Sequence, residues 1–348
     1  MKNDKKRFRL FDTQREGRGI AKGAESVKGS LKGFFISYKD NFGKIIYANI
    51  FMVLGNFPLI FLVAVLSGYT KADAFLPMQD AFQNLAPFYA TNAPSAFGMT
   101  LYALEGIQNQ VLVDTTLTYV FYGISALSLF TFGIVNVGVA YILRNIAKGE
   151  PVFVFSDFRY AIRRNFKQAL PFGIIDIAIN ALLVFNIYSL AVGGGDFWQS
   201  MMLWTNIVIF ILFFFMRYYI YVQMVTFKLS VFKIIKNSLI FALLGFKRNL
   251  VALLGIVAGI LLEVLFLFGV GGVLLPFAVA APLAVLFSTF AYMKVYASYY
   301  KIKTVMIDPY YEAHPEELPE ELGEEAIMRD DVTERERLEA IKKRNNIE

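Results

Sequence analysis

The feature that most constrains this chain is a series of six mostly apolar blocks, each roughly 20 to 27 residues long. A helix rises ~1.5 Å per residue, so a block of this length can cross the ~30 Å hydrocarbon layer of a membrane. A soluble chain of 348 residues would have a lower apolar share than the 57% found here. The sequence therefore predicts an all-α fold, a polytopic transmembrane helical bundle. The predicted spans are residues 45–66, 117–143, 168–192, 201–225, 249–268 and 273–295.

The polar segments between and beyond these blocks divide the chain into three parts. Residues 1–44 form a basic arm, and residues 45–300 hold the six spans. Residues 301–348 form an acidic tail, which we expect to be largely disordered because it has too little apolar content to offset the entropy of ordering. Residues 67–116 are too polar to cross a bilayer and are predicted to be an extracytoplasmic insertion, whose fold the sequence leaves open.

Basic residues are distributed very unevenly between the two sides of the predicted bundle. Of the 34 Lys and Arg residues, 32 lie in the basic arm, in residues 144–168 and 226–249, or from Lys294 onward. Lys71 alone lies in the loops of the other side, and Arg217 lies within a span. Cytoplasmic loops of membrane proteins carry such an excess. We therefore expect a multi-pass plasma-membrane protein with both ends in the cytoplasm.

Two basic connections have the pattern of amphipathic helices. In residues 155–169, aromatic and aliphatic side chains recur at helical spacing with cations between them, and residues 229–243 look similar. We predict interfacial helices that contact anionic headgroups or a partner protein. Soluble helices packed on the ends of the spans explain the pattern equally well. The cations concerned are Arg159, Arg163, Arg164, Lys167, Lys233 and Lys236.

A short aromatic-plus-lysine pattern opens the first, third and fifth spans, as in Asn41-Phe42-Gly43-Lys44. It is consistent with three similar hairpins, although anchors of this kind also recur independently at membrane interfaces.

The composition argues against several classes of chemistry. The chain has no cysteine and a single histidine, His314, which leaves no thiolate site, no histidine-rich metal site and no Ser–His pair inside the membrane. There is no Walker A sequence and no carboxylate pair in a soluble domain. The net charge of +6 is spread between apolar blocks, which does not resemble a nucleic-acid-binding face. We expect no enzyme, no cofactor and no nucleic-acid partner.

With Lys294 counted in the basic C-terminal region, three ionisable residues remain inside the predicted spans: Asp176, Arg217 and Glu263. Such residues are costly in a membrane and are candidates for function. Asp176 lies nine residues after Lys167, and Arg217 lies eleven residues before Lys228. At helical rise, both therefore lie ~13–16 Å from the basic ends of two antiparallel helices. They are predicted to form a polar layer that Asn136 joins. The layer is either a lock between helices or a substrate or ion site, and Arg217 could instead snorkel to the interface. Glu263 is a weaker candidate near the outer face.

Several short stretches, taken in order, resemble the YesL-like family of bacterial membrane proteins. They are Gly-Arg-Gly-Ile-Ala-Lys at 17–22, Tyr-Ile-Leu-Arg-Asn at 141–145, Asn-Phe-Lys-Gln-Ala at 165–169 and Met-Val-Thr-Phe at 224–227. The resemblance implies a plasma-membrane protein, typically of Gram-positive bacteria, whose genes lie near those for carbohydrate uptake. The family brings no agreed active-site residues to this sequence.

Two functions are consistent with these features. The first is a non-catalytic accessory or scaffold protein of carbohydrate uptake, which presents basic helices to a partner such as a sugar transporter subunit. The alternative is a transport subunit with its own substrate or ion pathway at the layer of Asp176 and Arg217. A water-filled cavity at this layer would favour transport, and a packed layer would favour the scaffold.

Overall fold

The computed structural model describes residues 28–77, 95–96, 108–193, 195–269 and 272–313. It confirms the predicted class, because the described residues are mainly long apolar helices, consistent with a polytopic helical bundle. Five helical segments are long and apolar enough to cross a membrane, and a bent pair makes a sixth. The chain is therefore a multi-pass membrane protein.

We number the spans in chain order. Span 1 is the pair Phe42–Gly55 and Pro58–Leu66, span 2 is Thr116–Lys148, span 3 is Val154–Val192, span 4 is Phe197–Thr226, span 5 is Phe246–Phe268 and span 6 is Leu275–Ala313. Span 2 consists of the helices Thr116–Ser125 and Ser128–Lys148. Two further helices, Leu31–Asp40 and Val231–Leu244, lie outside the spans. Many large apolar side chains of the spans are exposed, as lipid-facing surfaces require.

Span 1 bends by 62° between its two helices. Pro58 has no backbone N–H and begins the second helix, so the hydrogen-bond ladder is interrupted just before it. The side-chain amide of Asn56 donates to the carbonyl of Met52 at 3.0 Å, which satisfies one of the acceptors near the break. The predicted first span is thus present as a bent pair.

Span 6 is also irregular. Its helix Leu275–Ala281 continues through a π-helical turn, Pro282–Leu286, into the helix Phe287–Ile302. The fully buried Asn49 of span 1 bridges this turn. Its amide donates to the carbonyls of Pro282 and Leu283, both at 2.9 Å, and its oxygen accepts from the backbone N–H of Ser288 at 2.9 Å. One side chain therefore replaces the backbone partners that the π turn removes.

Span 3 is longer than predicted. The predicted interfacial helix at 155–169 is helical, but it is continuous with the span, and together they form one helix of 39 residues. At ~1.5 Å per residue this helix is ~58 Å long, so its first turns extend beyond the hydrocarbon layer. Residues 154–170 contain no glycine or proline to end the helix. The prediction of a separate helix was therefore wrong here, whereas Val231–Leu244 is separate, as expected.

Spans 2 and 3 approach each other closely at two glycines. A Cβ atom added to Gly173 of span 3 would lie 2.6 Å from the backbone N of Gly133 in span 2, too close for any side chain. Small residues permit this backbone contact, which is a common way for helices to pack in membranes. Val137, Phe172 and Ile220 belong to the buried core that lies between spans 2, 3 and 4.

The insertion contains two antiparallel strands, β1 (Lys71–Pro77) and β2 (Gln108–Asp114). The strand ends nearest spans 1 and 2 pair Lys71 with Asp114, whose side chains form an ion pair at 3.4 Å. Most of the insertion between the strands lies outside the described residues.

The basic arm contains the helix Leu31–Asp40, which packs on span 6. The Phe34 ring stacks on the Tyr292 ring with centroids 5.3 Å apart, and the hydroxyls of Ser37 and Tyr292 are 2.7 Å apart. Residues 1–27 lie outside the described residues.

The chain divides into two compact units, Met1–Tyr299 and Tyr300–Glu348. The described part of the second unit is helical as far as Ala313, with a π-helical turn at Lys303–Ile307. Within this unit, Lys303 and Asp308 lie 3.9 Å apart. Residues 314–348 lie outside the described residues, so the expected disorder of the acidic tail stays a prediction.

Candidate functional site

Asp176 and Arg217 are in direct contact between spans 3 and 4. The Asp176 side chain is fully buried, and Arg217 Nε lies 2.8 Å from its Oδ1 and 3.1 Å from its Oδ2. The helical-rise argument predicted this proximity, and the ion pair is present. A buried carboxylate and guanidinium can both stay ionised in a low dielectric when each is paired and hydrogen-bonded.

Two neighbours complete the hydrogen bonding of Asp176. The Tyr221 hydroxyl donates to Oδ2 at 2.7 Å, and the Asn180 amide donates to Oδ1 at 2.8 Å. Each neighbour is one helical turn beyond a member of the pair, Asn180 four residues after Asp176 and Tyr221 four residues after Arg217. The carboxylate therefore accepts hydrogen bonds from both helices.

The predicted third member of the layer does not join it. The Asn136 amide donates to the carbonyl of Phe132, one turn back in its own helix, at 2.9 Å. Within the described part of the chain it makes no hydrogen bond to Asp176 or Arg217. An i–4 carbonyl is always within reach of a helical Asn side chain, and here it satisfies the amide. Span 2 instead contributes the Phe132 ring, whose centroid is 5.6 Å from Arg217 Cζ.

A second cation, which the sequence argument counted with the basic tail, lies beside this pair. Lys294 is in the middle of the helix Phe287–Ile302, and it interacts electrostatically with Arg217 and Asp176. Its Nζ lies 5.9 Å from the centroid of Phe214, which is three residues before Arg217. The sequence-based prediction set Lys294 apart from Asp176, Arg217 and Glu263, although the predicted sixth span, residues 273–295, already contains it.

Glu263 lies in span 5, five residues before its end at Phe268, and its side chain is half-buried. It forms no ion pair or hydrogen bond with any residue that the structure describes, and its role stays a prediction. Among those same residues, no three His, Cys, Asp or Glu side chains are grouped as a metal site would require.

The six cations predicted to face headgroups or a partner are all exposed. We call this set the basic platform: Arg159, Arg163, Arg164, Lys167, Lys233 and Lys236. Arg159 and Arg163 line a surface cavity of about 350 Å³ together with Phe155, Ser156 and Tyr160. A basic cavity with an aromatic wall can accept an anionic group.

Two polar side chains make hydrogen bonds between elements near the basic platform. The Gln168 amide of span 3 donates to the carbonyl of Leu229 at 2.8 Å, just before the helix Val231–Leu244. Arg144 of span 2 donates to the carbonyl of Val225 at 2.9 Å and to Asn145 Oδ1 at 2.6 Å. Both residues fall in the stretches that carry the family resemblance, but the sequence alone gave them no role.

No protein-family model matches this chain, and no significant match is found among curated proteins or solved structures. The roles of these residues therefore rest on their own geometry and chemistry.

Proposed function

We propose that this protein is a non-catalytic accessory or scaffold protein of the plasma membrane that docks an acidic partner on its basic platform. The partner is a subunit of a carbohydrate transporter, and anionic lipid headgroups share the same surface. Both ends of the chain lie in the cytoplasm, on the same side as the basic platform.

The observation that carries this proposal is the exposure and fixed position of the basic platform. All six cations are exposed, and four of them follow one another along the first turns of span 3, from Arg159 to Lys167. The Gln168–Leu229 hydrogen bond ties these turns to the segment that leads into Lys233 and Lys236. Clustered cations on rigid helices give a surface complementary to acidic protein segments and to anionic headgroups.

The hydrogen bonds that surround the Asp176 carboxylate support a structural role for its ion pair with Arg217. The carboxylate is fully buried, and it accepts hydrogen bonds from Arg217, Tyr221 and Asn180. A group that accepts or releases a substrate or ion needs an oxygen that becomes free, whereas these oxygens are engaged by donors of both helices. The pair is therefore a lock between spans 3 and 4, which favours the scaffold over a transport subunit with a pathway at this layer.

The sequence supports the rest of the proposal. The excess of Lys and Arg on one side of the bundle supports cytoplasmic ends. The resemblance to the YesL-like family supports a bacterial plasma membrane and a role near carbohydrate uptake.

The test is co-purification from the native membrane with and without the platform charges. A variant with Arg159→Gln, Arg163→Gln, Lys233→Gln and Lys236→Gln should lose a transporter subunit that the wild type retains, as read by mass spectrometry. Its abundance and thermal unfolding should stay unchanged, since exposed charges contribute little to stability. A matched variant with Arg159→Lys and Arg163→Lys keeps the charge and should keep the partner.

High salt should also release the partner, because screening weakens contacts between exposed charges. Recovery of the same transporter subunit with the fourfold variant would contradict the proposal. Substrate flux through liposomes that contain the purified wild-type chain alone would instead favour the transport subunit.

A further inference from the structure

Lys294 is a part-buried cation within the bundle. Its ammonium lies over the Phe214 ring, and the charged groups that act on it are Arg217 and Asp176. Within the described residues it forms no ion pair, and Asp176 already accepts from Arg217 Nε. One carboxylate therefore faces two cations, and the cluster carries a surplus positive charge. An uncompensated charge inside a bundle is costly, so such a charge points to a partner that the protein itself does not supply.

A buried donor without a partner in the described part of the chain lies at the same place. Arg217 contacts Asp176 through Nε and also interacts with the Tyr221 hydroxyl. The Tyr218 side chain is 2% exposed, and among the described residues its hydroxyl has no hydrogen-bond partner. A buried hydroxyl left unpaired costs free energy and is rare unless a ligand or water completes it.

Phe214 brings these groups together. Its ring contacts the Tyr218 ring edge-on at 5.2 Å between centroids, and the Lys294 ammonium is 5.9 Å from its centroid. Phe214, Arg217 and Tyr218 recur at three and four residues along span 4, so they share one face of that helix. The Phe214 ring therefore lies beside the ammonium of Lys294 and the ring of Tyr218, on the helix face that also carries Arg217. Cationic groups and a hydroxyl are the hydrogen-bond donors that an oxyanion requires.

We propose that Lys294, Arg217 and Tyr218 form an oxyanion-binding site, which takes a phosphate group. The phosphate belongs either to an anionic lipid headgroup or to a soluble phosphate compound, and its charge balances Lys294. The ion pair of Arg217 with Asp176 remains in place and holds the guanidinium in position. This site is separate from the basic platform and does not depend on the accessory role proposed above.

The experiment measures thermal unfolding of the purified full-length chain in two arms. In detergent, inorganic phosphate is compared with chloride at equal ionic strength. In nanodiscs, phosphatidylcholine alone is compared with a mixture of phosphatidylcholine and phosphatidylglycerol. A ligand that binds the folded state raises the unfolding midpoint. We expect a rise of several degrees in at least one arm, and the arm that shows it identifies the source of the phosphate.

Three substitutions assign the effect. Lys294→Met should abolish the rise, and because it removes a charge that forms no ion pair among the described residues it should not impair folding. Tyr218→Phe should reduce the rise, whereas Lys294→Arg should retain it. The exposed Lys247 serves as control, since Lys247→Met removes one positive charge elsewhere and should leave the rise unchanged.

Two results would overturn the site. The first is that neither phosphate nor phosphatidylglycerol stabilises the wild type. The second is that Lys294→Met shows the full rise, which would assign the effect to other cations. Loss of the transporter subunit in the co-purification test bears only on the basic platform, so the two proposals fail separately.

Discussion

Arg217 Nε lies 2.8 Å from Oδ1 of Asp176, and this contact joins spans 3 and 4 inside the bundle. The two residues are 41 positions apart in the chain, and the spans that carry them run antiparallel through a short connection. Removal of one partner of such a pair leaves the other without its ion-pair partner, whereas removal of both leaves only Lys294, which forms no ion pair among the described residues of the wild type either. The stability of the protein should therefore depend on the pair as a unit.

The Tyr221 hydroxyl should contribute measurably to the same lock. Tyr221→Phe removes the 2.7 Å hydrogen bond to Oδ2 of Asp176 and changes nothing else in shape. Hydrogen bonds to charged groups are worth ~1.5–3 kcal/mol, so we expect a loss of this size in the free energy of unfolding in mixed micelles. Tyr119→Phe, at an exposed tyrosine, is the control and should be neutral. Equal stability of the two variants would show that the hydroxyl does not support the carboxylate.

Asn49 should be essential for the irregular part of span 6. Asn49→Leu removes the two hydrogen bonds to the carbonyls of Pro282 and Leu283 in the π-helical turn and the one from the backbone N–H of Ser288 in the helix that follows. Each unsatisfied buried group costs ~1–3 kcal/mol, and we expect a large drop in the thermal unfolding midpoint. Asn136→Leu is the matched control, because that amide donates to the Phe132 carbonyl of its own helix. If both variants unfold at the same temperature, Asn49 does not stabilise the turn.

The glycine contact between spans 2 and 3 should not tolerate a side chain. Gly173→Ala places a Cβ atom 2.6 Å from the backbone N of Gly133, so the two helices must separate. Overpacking of this kind costs ~1–3 kcal/mol, which should appear as lower thermal stability in detergent. Gly123→Ala is the control, since nothing lies within 4 Å of its added Cβ. Wild-type stability in Gly173→Ala would mean that the two spans are not packed this closely.

The chain has no cysteine, so its orientation in the membrane can be tested by labelling single introduced cysteines. Single cysteines at Glu150 and Ser230 should react with a membrane-impermeant maleimide only after the cells are permeabilised. Single cysteines at Asp73 and Asp196 should react in intact cells. This pattern follows from the excess of Lys and Arg on one side. Labelling of Glu150→Cys in intact cells would contradict the six-span topology with cytoplasmic ends.

The sequence predicted the features that depend on local pattern or on neighbouring spans. Span positions follow from apolar length, and the contact between Asp176 and Arg217 follows from helical rise along two spans joined by a short connection. The i+4 positions of Asn180 and Tyr221 could have been found in the same way, since each lies one turn from a member of the pair.

The features that sequence reasoning missed depend on contacts between distant spans. The hydrogen bonds from Asn49 to the π-helical turn join residues more than 230 positions apart, and no local sequence pattern predicts them. Lys294 was assigned to the basic tail because positive charge usually marks the end of a span. Asn136 was expected in the charged layer from its depth alone, whereas the nearest carbonyl of its own helix satisfies it.

The most direct test of the lock is a double-mutant cycle on Asp176 and Arg217, read as the free energy of unfolding in mixed micelles. We predict that Asp176→Asn and Arg217→Met each lose ~3–5 kcal/mol, because the first leaves the guanidinium without its carboxylate and the second removes the cation that donates directly to the buried Asp176. The double variant should recover much of this loss, which would give a large coupling energy. Additive losses with no coupling would contradict the account, because they would mean that the two side chains do not act on each other in the folded protein.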